Sequence, residues 1–290
     1  MPKQPPKPKP PIFRKSPESG VTKRLELEYE KAIRDVVSRV LPPKGSTPDL
    51  QKWIDHIVSR VESPEIRRLT NKLAANMVRW VNIRNARTWR EAAARSQRSQ
   101  MLFRMMQKEM QGPVGVKVGQ LVAENAVLIR SVPLDAATML TREVLRLQQR
   151  GARPKTIERA MRARLPVLSR NRARLIARRE SAKASAALTE ARADNLGLHW
   201  YLWRTSEDQR VRKSHRNLDG VLVRYEKPPQ PEKLVHEHST LGTGNAGEFP
   251  NCRCTQIVLL DPADVTWPRR VYWNGKIQMM TKTQFMRIWQ

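Results

Sequence analysis

Cysteine is nearly absent: the 290-residue sequence has two, Cys252 and Cys254. A disulfide framework is therefore excluded, and the pair is left to metal binding, local structure or no chemistry. Long apolar runs are missing as well, and none approaches a membrane span. The opening residues, MPKQPPKPKPPIF, lack the apolar centre of a secretion signal, so a cytosolic birth is expected. Acids are scarce, 27 against 55 Lys and Arg, for a formal net charge of +28. Such an excess repels itself unless an anionic partner screens it. Nucleic acid is the commonest such partner, bound through phosphates with release of counterions. An anionic membrane surface is the other class the charge allows; nucleic acid is adopted, and no membrane partner is assigned. A fixed-period repeat is absent. So is a base-reading motif such as a zinc finger, which leaves sequence-independent contact with double-stranded DNA as the expectation.

What is present is mostly helix signal. Residues 1–20 hold seven of the 21 prolines and five cations, and read as a basic, partly polyproline-like disordered tail. A helix is expected over Leu25–Leu41. Thr47-Pro48-Asp49 and Ser63-Pro64-Glu65 are helix starts, each with a capping hydroxyl before a proline. Ile66, Leu69, Leu73, Met77 and Trp80 then form one apolar stripe. Arg84, Arg87, Arg95 and Arg98 follow near one line, a solvated face or a phosphate-facing ridge. Gly112 to Gly119 interrupts the helices, and a further block begins near Leu121. Gly151 stops one helix, Pro154 opens the next, and another is expected over Ser169–Asn195. Between Arg150 and Arg192 stand 13 cations and three acids. The densest group is Arg170, Arg172, Arg174, Arg178 and Arg179, assigned to DNA. Arg170, Arg174 and Arg178 share a helix face at steps of four. The alternative is docking to an acidic protein surface.

The texture changes at His199. Trp200–Trp203 reads as a strand, and Thr205-Ser206-Glu207-Asp208 as the start of a short helix carrying Val211, Arg212, His215 and Leu218. Asp219-Gly220 is a turn. Val221–Val223 and Thr255–Leu260 are strands, separated by a proline- and glycine-rich loop. Beyond them, Asn274-Gly275 marks a hairpin in an aromatic-rich end. The fold class is α+β: a mainly helical N-terminal body followed by a small mixed α+β C-terminal module. The expected divisions are 1–20, 21–195, 199–260 and a C-terminal extension, 261–290.

Trp203-Arg204-Thr205, Asp208, Val211-Arg212, His215, Leu218-Asp219-Gly220 and Asn251-Cys252-Arg253-Cys254 together resemble the signature of the phage Mu F-like, or phage head morphogenesis (minor capsid), family. Leu128–Pro133 and Ala173–Arg178 are similar to the stretch that precedes it there. The resemblance covers roughly residues 120–260. It implies a non-enzymatic minor head protein of a tailed phage. Such a protein lies in the capsid interior at the portal vertex, after assembly in the host cytoplasm. It would partner the portal protein, with the major capsid or scaffolding protein as further candidates, and serve genome packaging or ejection.

Two other readings concern chemistry. Four of the five histidines fall in the module with both cysteines, and such groups are zinc ligands. The best set is His215, His238, Cys252 and Cys254, but Cys-x-Cys is not the usual knuckle spacing. The adopted reading therefore has no cofactor, with the cysteines in a small core and zinc as the alternative. Asp208 and His215, seven apart, would share a helix face two turns apart, which suggests a metal-dependent nuclease or hydrolase. Ser214 points elsewhere, so no triad is available, and no catalytic residue is assigned. In the structural reading Trp203 fills a core, Thr205 and Asp208 cap the helix, Gly220 permits the turn, and Arg212 and Arg253 brace carboxylates. A DNA-binding protein unrelated to virions is the remaining alternative.

Overall fold

A computed structural model describes residues 21–43, 45–46, 48–95, 99–238 and 240–289. The proline-rich tail expected over 1–20, and Thr47 and Arg98, lie outside the described residues. The α+β expectation holds: long helices come first, and a five-stranded mixed sheet closes the chain.

The helices are α1 (Lys23–Ser38), α2 (Leu50–Glu62), α3 (Pro64–Arg95), α4 (Ser99–Gln107), α5 (Pro113–Gln149) and α6 (Pro154–Asn195). Side-chain caps fix several starts. Thr22 Oγ1 accepts from Leu25 N–H, Asp49 Oδ1 from Lys52 N–H, and Ser63 Oγ from Ile66 N–H. Each satisfies an amide that the first turn leaves without a partner. The second helix is thus capped by Asp49, two residues after the expected start.

The expected Gly112–Gly119 break is confined to its start, Gly112, and the gap expected before Ser169 does not occur. Gly115 and Gly119 are helical, because α5 begins at Pro113. A Cβ on Gly115 would lie 2.0 Å from the Met110 carbonyl oxygen, so the close approach of that backbone, not a turn, requires glycine. Likewise α6 runs unbroken from Pro154 through Pro166 to Asn195. A proline costs a helix one N–H, but both flanks of Pro166 keep an apolar side (Met161, Leu165, Ala173, Ile176) that packing holds in place. The stripe on α3 also shifts. Ile66 and Met77 are buried as expected, yet Trp80 is 64% exposed, and the inward line continues through Val78, Val81, Ala86 and Trp89.

The chain divides into two compact units, and the division is not the expected one. One unit takes 21–82 and 117–184, the other 83–116 and 185–290. The expected single body over 21–195 is therefore shared between them. In the first unit Trp53, Ile57, Val61 and Ile66 pack with Ala136, Leu140, Val144, Met161 and Leu165. Tyr29 O–H donates to Asn125 Oδ1 within its helices.

The second unit holds the sheet: β1 (Trp200–Arg204), β2 (Leu222–Arg224), β3 (Thr255–Val258), β4 (Arg269–Trp273) and β5 (Lys276–Met280), in the order β3-β1-β2-β4-β5. All neighbours are antiparallel except β2 and β4, which run parallel with Leu222 opposite Val271. This pairing crosses the boundary expected at residue 260, so 269–280 belong to the sheet of the module instead of extending beyond it. The short helices are α7 (Lys213–Asn217) and α8 (Lys282–Met286). Because β1 is an inner strand covered on both faces, alternate residues face opposite cores. Trp200 and Leu202 pack with Val271, Met280 and Phe285. Tyr201 and Trp203 pack with Phe249, Cys252, Cys254 and, from α3 and α4, Trp89, Leu102 and Met106.

Candidate functional site

The family-motif residues gather where β1, α7 and the start of β3 meet. Gly220 makes this possible: it takes φ +74°, and its N–H donates to Trp203 O. That turn returns the chain beside β1, and Asp219 then locks the β1 end. One carboxylate oxygen, Asp219 Oδ1, accepts from Thr205 N–H at 2.8 Å and from Thr205 Oγ1 at 3.2 Å.

The helix expected from Thr205 is not formed there. Residues 205–212 are loop, with Glu207 at φ +55°, and α7 starts only at Lys213 with no side-chain cap. Thr205 is engaged with Asp219, and the Asp208 carboxylate closes a local turn by accepting from Arg210 N–H at 2.9 Å. Neither caps a helix, and Asp208 shares no helical face with His215. Arg253 does brace a carboxylate, that of Asp208. Arg212 donates instead to the Pro250 carbonyl oxygen at 2.7 Å. The two arginines thus tie the 205–212 loop to the segment that carries both cysteines.

Behind these ties lies a closed cluster. His215 on α7 is 1% exposed, and Cys252 and Cys254 are buried beside it. Cys252 Sγ lies 3.5 Å and Cys254 Sγ 3.6 Å from the same atom, His215 Nδ1. Cys254 N–H points at Cys252 Sγ, 3.4 Å away. The imidazole stands edge-on to Trp203 and Phe249, with ring centroids at 5.5 and 5.0 Å. Its other nitrogen, Nε2, is buried with no hydrogen-bond partner. The thiols differ in acidity. Cys252 is held low because it accepts hydrogen bonds from Cys254 and His215. Cys254 is pushed up by its hydrogen bond to Cys252 and by burial. Of the expected zinc set, the fold brings His215, Cys252 and Cys254 together. His238 is exposed and stands outside the cluster.

Around the cluster, Tyr201 O–H donates to Asn245 Oδ1 at 3.0 Å, and Ala246 N–H donates to Tyr201 Oη at 3.2 Å. Gln256 Nε2 donates to Ala246 O. These bonds hold the proline- and glycine-rich loop against the sheet. The sequence reading missed Tyr201, Asn245 and Phe249 as site builders. Loop contacts have no period, so only the aromatic at 249 beside the cysteines was a signal.

The five arginines assigned to DNA lie on α6 in the other unit. Arg172 pairs with Asp135 at 2.8 Å, Arg174 with Glu30 at 3.4 Å and Arg179 with Glu180 at 3.7 Å. No ion pair of Arg170 or Arg178 occurs among the described residues. Lys155, Arg159, Arg162 and Arg170 are exposed and fall on one side of α6. Arg192 is different. It is buried, donates twice to Glu109 (2.9 and 2.7 Å) and once to Asn85 Oδ1 (2.6 Å), and faces no solvent.

A mixed sheet closed by a buried Cys-x-Cys and histidine, preceded by long basic helices, defines a small α+β module of one recognisable class. Residues 139–257 match the family described as phage Mu protein F like protein. A protein of Haemophilus influenzae, described as an uncharacterized protein, is 35% identical over 145 residues, which are 50% of this chain and 30% of that one. The chain therefore spans less than a third of that relative's length. No solved structure matches. Among the described residues no helix is long and apolar enough to cross a membrane.

Proposed function

We propose that the protein is a minor head protein of a tailed phage. It acts structurally at the portal vertex during head assembly and DNA packaging or delivery, and it touches double-stranded DNA without reading its sequence. The observation that carries this reading is the match of 139–257 to the phage Mu protein F like family. The portal protein is the proposed partner, and the virion interior the proposed location.

The DNA contact rests on α6. Its exposed cations, Lys155, Arg159, Arg162 and Arg170, extend the proposed group of Arg170, Arg172, Arg174, Arg178 and Arg179. Three of that group hold carboxylates. The Arg172–Asp135 pair, part-exposed on both sides, contributes roughly 0–1 kcal/mol, so a phosphate can displace that acid at little cost, whereas Glu30 and Glu180 are buried and hold Arg174 and Arg179 more firmly. The chemistry required for hydrolysis has less support: Asp208 lies in a loop and is engaged by Arg253.

Binding of unrelated duplexes, followed across a salt series, tests the proposal. Equal affinity for all sequences is expected. The slope of log K against log salt should shrink by about 0.9 for each phosphate contact removed. Replacing Arg159, Arg162 and Arg170 by Glu should flatten that slope. An unchanged slope would remove α6 from the DNA-binding surface.

A further inference from the structure

We propose that His215, Cys252 and Cys254 are the protein ligands of one zinc ion, through Nδ1 and two thiolate sulfurs. This inference goes beyond the head-protein reading and does not depend on it.

Distance is the first argument. In a tetrahedral site with Zn–S bonds of about 2.3 Å and Zn–N bonds of about 2.0 Å, sulfur and nitrogen stand about 3.5 Å apart. The two sulfur–nitrogen separations here are 3.5 and 3.6 Å. Both sulfur–nitrogen edges are already those of such a tetrahedron, and all three donor atoms lie within 4.8 Å of one another.

Without metal, His215 and Cys254 both donate to Cys252, so the further 3.6 Å approach of Cys254 Sγ to Nδ1 is not required by that hydrogen bonding. One cation between the three atoms satisfies all of them. It also fixes the tautomer: with Nδ1 bound to metal, the proton resides on the buried Nε2. Cys254 N–H then serves as the amide donor that stabilises a ligating sulfur at Cys252.

Charge points the same way. In the bound state two thiolates with Zn2+ and a neutral imidazole sum to zero. A neutral complex is the form that a closed pocket tolerates. Two sulfurs and one imidazole select a borderline-soft, tetrahedral ion, and disfavour Mg2+ and Ca2+, which take oxygen. Among the described residues no fourth His, Cys, Asp or Glu joins the group. The fourth position goes to water.

The rigid surround suits a metal site. The Arg212–Pro250 and Arg253–Asp208 ties hold the cysteine segment, and the Asp219–Thr205 bonds hold the β1 end. A ligand set anchored on both sides keeps its geometry when the metal is removed.

The test uses the full chain, purified under reduction, stripped with chelator and reloaded with Zn2+ or Co2+. About one ion per chain is expected after dialysis, with the d–d and sulfur-to-metal bands of tetrahedral Co2+. The thermal midpoint should rise on loading, because the ion binds the folded state. His215→Gln and Cys254→Ser should lower the bound metal to under about one-tenth of an ion per chain. The cobalt spectrum of the unmodified chain needs no variant and stands even if these fail to fold. A stripped chain with two titratable thiols that takes up no metal and shows no cobalt–sulfur band overturns the proposal. So does full uptake that survives both substitutions, and so does a Cys252–Cys254 disulfide in place of metal in the protein isolated without reductant.

Discussion

Arg192 stands in a stretch of sequence dense with arginine, and nothing in its immediate neighbours marks it as different. Its surroundings in space do. It is 1% exposed and matched by the Glu109 carboxylate and Asn85. Burial of an ion pair gives little net stability, but removing one partner strands the other charge in the interior. Arg192→Met should therefore destabilise the protein by about 3–5 kcal/mol, read as the urea midpoint. The double change Arg192→Met with Glu109→Leu should recover much of the loss. Glu180 offers a pH signature at the same scale. Burial raises its pKa, and Glu180 Oε2 has no hydrogen-bond partner. The folded state therefore holds this proton more tightly than the unfolded chain does. The stability due to Glu180 is fully present below the unfolded carboxyl pKa of about 4.3 and is lost as pH rises through the higher folded value. Glu180→Gln should stabilise the protein at neutral pH and have little effect near pH 4. An equal effect at both pH values in thermal melts would sink this account.

Elements with local rules were legible. Asn274 and Gly275 both take positive φ and join β4 to β5, as a two-residue turn of that composition requires. The strand at Trp200 and the cap at Ser63 followed from pattern and chemistry. Elements set by distant packing were not. The gap before Ser169 and the Gly115–Gly119 stretch read as breaks because propensity is local, whereas burial along α5 and α6 spans many turns. The loop at 205–212 read as helix because Thr205 and Asp208 are good caps. Asp219 and Arg253, distant in sequence, claim both side chains. The metal-ligand trio was half visible: the residue types stood out, but only the fold rejects His238 and selects Nδ1 of His215. The end of the chain was set apart as an extension, since a parallel β2–β4 pairing leaves no periodic mark. Phe285 is fully buried against Trp200, Trp267 and Trp289. Ending the chain at Leu260 should therefore expose Trp200 and Leu222. The fragment 21–260 should bind more hydrophobic dye, or aggregate more readily, than the full chain. A soluble fragment with an unchanged melting midpoint would show that β4 and β5 are dispensable.

At the scale of the molecule, charge and chemistry occupy different units. The basic side of α6 belongs with 117–184, and the Cys–His cluster with 185–290. Zinc removal and salt should thus act on separate properties, the first on the melting of the sheet-bearing unit and the second on DNA affinity. The division itself has a consequence for how the chain is made. Each unit is assembled from non-adjacent stretches, with crossings at 82–83, 116–117 and 184–185. On the ribosome, Trp89 emerges long before its packing partners Tyr201 and Trp203 exist. The apolar side of that helical stretch must wait, unpaired, for more than a hundred residues of synthesis. During that interval it is exposed apolar surface of the kind that makes a nascent chain depend on a chaperone.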